Sequence, residues 1–110
     1  MPLVHTLYAA YAAWHDILLK FPKAERYSLG ETISRRLLET IELILGAAST
    51  ADAAEKLKHL REASAKLDTL KLLVRLAKDC RCLPNQHYLD MESRLHEAGK
   101  MIGGWLKSIG

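Results

Sequence analysis

The chain has 110 residues, 49% of them hydrophobic and 26% charged, with a formal net charge of +3. That length corresponds to one domain, and that balance excludes both a disordered chain and a membrane-spanning one. Charge is uneven: residues 53–83 carry eight Lys or Arg against four Asp or Glu, and the remainder is net −1, a distribution that points either to an anionic partner or to a solvated basic face.

Four helical segments are predicted in turn. The first runs from Leu3 to Lys20, with Leu3, Leu7, Tyr11, Trp14 and Leu18 at helical spacing. It is apolar to Trp14, but Asp16 and Lys20 interrupt it too early for a membrane span, and it lacks the basic start of a targeting signal. A break follows over Phe21–Tyr27, where Pro22 disfavours helix at Phe21. Ser28 and Glu31 have the spacing of a capping box, which would open a second helix carrying Ile33, Leu37, Ile41, Ile44 and Leu45 inward and ending near Gly46–Thr50. A weaker capping signal at Ser49–Asp52 opens a third helix to about Cys80, on the order of 40 Å long. Cys82–Asn85 interrupts the chain, and Pro84 suits the first turn of a fourth helix. There Tyr88, Met91, Leu95, Ala98, Ile102 and Trp105 make a heptad seam, which is expected to bury the Trp105 ring. Helices joined by short connections give an all-α fold, an antiparallel up-down-up-down four-helix bundle occupying residues 1–110 as one domain.

The residues that carry chemistry are sparse. Cys80 and Cys82 are too close for an unstrained disulfide, so a reduced, cytoplasmic setting is expected. The five histidines match no metal motif; His96-Glu97 lacks the second His of a zinc-protease helix, and Glu39 and Glu42 lack the Glu-x-x-His of a di-iron bundle. No cofactor, metal or enzymatic activity is expected. Gly99 and Gly103, four apart, suit close helix packing.

The third helix is the informative one. On a wheel of residues 67–78, Lys71, Arg75 and Lys78 share a face flanked by Asp68 and Asp79. Leu67, Leu70, Leu72, Leu73, Val74, Leu76 and Ala77 fill an apolar arc of roughly 220°, wider than the roughly 100° stripe of a surface helix. Either flanking helices cover both sides of it, or the extra width meets another subunit. The cations would contact phosphates, or pair with the flanking aspartates. Lys23, Arg26, Arg35 and Arg36 form a second basic cluster, placed where a helix N-terminus would offer free amides to an anion.

Three stretches together resemble a known family: Phe21-Pro-Lys-Ala-Glu-Arg-Tyr-Ser-Leu-Gly30, Leu67-Asp-Thr-Leu-Lys-Leu-Leu-Val-Arg-Leu-Ala77 and Gly99-Lys-Met-Ile-Gly-Gly-Trp-Leu-Lys107. They look like the accessory variability determinant (Avd) proteins of diversity-generating retroelements. They are similar, more loosely, to the bundle proteins of bacterial ribosomal-RNA intervening sequences, but Thr40–Ser49 departs from the pattern of that second group. The resemblance covers about Leu7 to Lys107. It implies a pentameric, non-enzymatic four-helix bundle with a basic surface that binds the element's reverse transcriptase and template RNA or cDNA during mutagenic retrohoming. Carried over, the binding positions are Lys71 and Arg75, Lys100 before Gly-Gly-Trp, and Lys23 and Arg26 in the turn. The alternative is a structural bundle oligomer of the intervening-sequence type with no polymerase partner.

Overall fold

The computed structural model describes residues 1–109. Helix α1 (Pro2–Leu19) leads through a single turn, α2 (Lys23–Glu25), into a π-helical segment, Arg26–Gly30, that continues as α3 (Glu31–Ser49); α4 (Ala53–Asp79) and α5 (Asn85–Ile109) complete the chain. No strand occurs among the described residues. The four long helices form a bundle 44 × 22 × 20 Å, in which α1 and α4 each pack on α3 and α5. Lys66 reaches Glu39 and His59 lies against Gly46, so positions rise along α3 as they fall along α4. Between α1 and α5, Thr6 meets Met101 while Lys20 and His87 line one hollow.

Every long helix buries a strict alternation of three and four residues. The buried positions are Leu3, Leu7, Ala10, Trp14 and Ile17 on α1, and Ile33, Leu37, Thr40, Ile44 and Ala47 on α3. On α4 they are Leu60, Ala63, Leu67, Leu70, Val74 and Ala77, and on α5 Tyr88, Met91, Leu95, Ala98 and Ile102. This 3.5-residue period is the seam of helices packed side by side at a shallow angle. It corrects the inward faces expected from side-chain size. Tyr11, Leu18 and Ile41 are only half-buried and Leu45 is 50% exposed, because their neighbours Ala10, Ile17, Thr40 and Ile44 occupy the seam. Thr40 is tolerated there because its hydroxyl donates to the Arg36 carbonyl at 2.8 Å.

Trp105 is half-buried rather than enclosed. The α5 seam continues to it, but with Thr6 opposite Met101 its level matches only the very start of α1, at Pro2. Its ring instead lies 5.8 Å from the Lys56 ammonium. Of the two paired glycines, Gly99 faces Lys71, whereas nothing stands within 4 Å of a Cβ built at Gly103, so close packing holds for neither as a pair.

The capping box at Ser28 does not form. Lys23–Gly30 is already helical, so α3 has no free first turn, and the Ser28 hydroxyl donates to Glu25 Oε1 at 2.6 Å. Packing dictates this: Phe21 is buried edge-on to Trp14 with centroids 5.5 Å apart, and Trp14 Nε1 donates to the Gly30 carbonyl at 3.1 Å. A Cβ on Gly30 would collide with the Leu18 side chain and lie 3.3 Å from Phe21. Helix α4 does begin on the expected stretch, with Asp52 accepting from the Ala54 amide at 3.1 Å.

Candidate polyanion and partner-binding surface

Two turns reverse the chain at the same end of the bundle, and basic residues gather between them and along α4. The second turn is set by the end of α4. The Cys82 amide donates to the Ala77 carbonyl and the Arg81 amide to the Lys78 carbonyl, at 2.8 and 2.9 Å. That pair of bonds is a Schellman cap, normally built on glycine at the left-handed position. Here Arg81 holds it, at φ 63°. Cys82 and Ala77, the positions at which such a cap commonly pairs apolar side chains, are both buried. Both cysteines are free thiols. Burial raises the Cys82 pKa, with the negative charges of Glu25 and Cys80 adding to it.

The three cations of α4 lie together along its groove with α5. Lys71, half-buried, lines a hollow of about 210 Å³ with His96, Gly99, Lys100 and Asp68. It also borders one of about 320 Å³ with Leu89, Glu92 and His96. Arg75 is exposed and 3.9 Å from Asp79. The Lys78 ammonium stands 4.8 Å over the Tyr88 ring. Tyr88 donates to Glu92 Oε2 at 2.5 Å, and that hydrogen bond pushes the phenol pKa up. Self-pairing with the flanking aspartates is therefore limited to the loose Arg75–Asp79 contact; among the described residues Asp68 makes no ion pair. The structure thus brings Lys71, Arg75, Lys78 and Lys100 together on one groove.

The second sequence cluster is dispersed. Arg26 Nη2 donates to the carbonyls of Leu19 and Phe21 at 3.1 and 3.3 Å, closing the end of α1. The Arg26 amide is not free for an anion, since helix begins earlier, at Lys23, and the Glu25 and Arg26 amides both bond to the Pro22 carbonyl. Arg36 is half-buried with Nη1 3.7 Å from Glu39, which also receives Lys66 at 3.2 Å. Lys23 and Arg35 are exposed and make no ion pair among the described residues. Two cations absent from the sequence reading join the groove instead. Lys20 and Arg81 line, with Lys78, a hollow of about 480 Å³ at the end of the bundle. Their distance from each other in sequence hid them; the positive φ at Arg81 is invisible without a structure.

Apolar surface is also left uncovered. Leu72 and Leu76 are 67% and 46% exposed, so the neighbouring helices do not cover the wide arc of α4. A further hollow of about 540 Å³ lies between α1 and α3, lined by Tyr8, Tyr11, His15, Leu38 and Ile41. Among the described residues, no group of three or more His, Cys, Asp or Glu is placed to hold a metal ion, and no helix is long and apolar enough to cross a membrane. The model of the family described as bAvd-like matches residues 3–109. No curated protein matches the chain.

Proposed function

The chain belongs to the bAvd-like family, and on that premise we propose that it is a non-enzymatic accessory protein of a diversity-generating retroelement. It acts in the cytoplasm as a homo-oligomer, five subunits being the expected number. It holds the element's reverse transcriptase together with template RNA or cDNA during mutagenic retrohoming. The observation that carries this reading is the family match over nearly the whole chain. Two physical features support it. Lys71, Arg75, Lys78 and Lys100 form a groove of cations suited to phosphates. Exposed Leu72 and Leu76, and the α1–α3 hollow, are apolar surfaces of the kind that protein partners cover.

The test is co-purification with the element's polymerase and RNA, together with RNA titration of the variant K71E/R75E/K78E at two salt concentrations. The variant should remain folded and oligomeric and lose RNA affinity, with a shallower salt slope by about 0.7 per lost phosphate contact. Equal affinities and slopes would refute the groove. A monomer mass by light scattering at micromolar concentration would refute the assembly.

A further inference from the structure

The end hollow combines two unfavourable features, offset among the described residues only at Lys78, whose ammonium stands 4.8 Å over the Tyr88 ring. First, Lys20 from the end of α1, Lys78 from the last turn of α4 and Arg81 from the following turn bring three positive charges to one concavity of about 480 Å³. No carboxylate lines it, and none of the three makes an ion pair among the described residues. Like charges gathered without a counter-charge repel. Asp16, one turn before Lys20, borders only the smaller adjoining hollow. Second, Arg81 sits at φ 63°, left-handed backbone in which a side chain is strained relative to the glycine usual at that position. Among the described residues its guanidinium makes no hydrogen bond that would hold it there. A strained residue presenting an unengaged cation beside two others is accounted for by a ligand outside the chain.

We infer that this hollow is a phosphate site for single-stranded nucleic acid, with Lys20, Lys78 and Arg81 enclosing one backbone phosphate. Continuity favours nucleic acid over a free anion: Lys78 lines the hollow and also stands over Tyr88 of α5, so cations run from Lys100 and Lys71 through Arg75 and Lys78 to Arg81 and Lys20, with Asp68, Glu92 and Asp79 beside the inner part of the track. The α5 start, Pro84 and Asn85, closes the hollow. Its first turn carries no acidic residue, so its dipole adds to the positive potential. This site rests on the reading that the protein binds the element's RNA.

The experiment is fluorescence anisotropy of a single-stranded RNA oligonucleotide with the whole chain, its R81G and K20Q variants, and parallel melting curves. R81G should melt higher, because glycine relieves the left-handed backbone, and yet bind about fivefold more weakly at 0.1 M salt, the difference closing towards 1 M. K20Q should weaken binding similarly. A purely structural Arg81 would move stability alone. Wild-type binding that R81G and K20Q leave unchanged overturns this site while leaving the proposed function standing; no wild-type binding to RNA overturns both. Two further arms separate sources of phosphate. Displacement by millimolar inorganic phosphate, or Arg81-dependent pelleting with phosphatidylserine vesicles as strong as RNA binding, overturns the nucleic-acid assignment.

Discussion

In the turn between α1 and α3, Arg26 donates to two backbone carbonyls, Trp14 to a third, and Gly30 sits where no side chain fits. In the turn between α4 and α5, at the same end of the bundle, the Arg81 side chain makes no hydrogen bond among the described residues, and Arg81 occupies backbone that a glycine would fill more comfortably. Both are single arginines in short connections. What separates them is where their donors go. Arg26 satisfies carbonyls that a helix end would otherwise leave open; Arg81 leaves its donors to solvent or to a ligand. The contrast teaches that a basic residue in a turn reads as a binding residue only after its local backbone partners are known.

That contrast can be broken at several points. The largest effect belongs to the first turn. Trp14→Ala removes a fully buried ring, its bond to Gly30 and its contact with Phe21, and should cost about 3–5 kcal/mol. A denaturation midpoint close to wild type would show that this turn is not held from beneath. Next comes Arg26→Ala, which frees the Leu19 and Phe21 carbonyls and should cost about 2 kcal/mol. RNA affinity should be unchanged in the same protein; a loss of affinity at unchanged stability would reverse the assignments of the two arginines. The smallest effect concerns the thiols of the second turn. Cys80 is exposed, whereas Cys82 is buried with its pKa raised. Iodoacetamide at pH 8 should therefore alkylate Cys80 well before Cys82, with Cys82 following only on unfolding. Equal rates in a mass-spectrometric time course would mean that the Schellman cap opens readily.

The helices, and their ends apart from the start of α3, were legible because hydrophobic period and turn residues are local signals; α4 at Ala53–Asp79 and the α5 seam from Tyr88 to Ile102 sit where the sequence puts them. Three things were not. Period alone did not choose Ala10 over Tyr11 or Thr40 over Ile41, because the seam is fixed by facing helices and not by the size of the residue it takes. The Ser28–Glu31 box was a sound local signal overridden by Phe21 and Trp14, which draw the break into helix. At the surface, the groove of Lys71, Arg75, Lys78 and Lys100 followed partly from spacing on one helix. Lys20 and Arg81 did not, since their meeting depends on two chain reversals ending at the same height.

The length of α4 sets a scale for all of this. From Lys71 to Lys78 the rise is about 10 Å, the axial span of about three nucleotides at the 3.4 Å spacing of a stacked strand. An RNA strand lying along the groove would therefore leave each protomer a footprint of only a few nucleotides. Protection of a longer template segment would report protomers arrayed side by side, so the size of a nuclease-protected fragment measures how many subunits a single RNA engages.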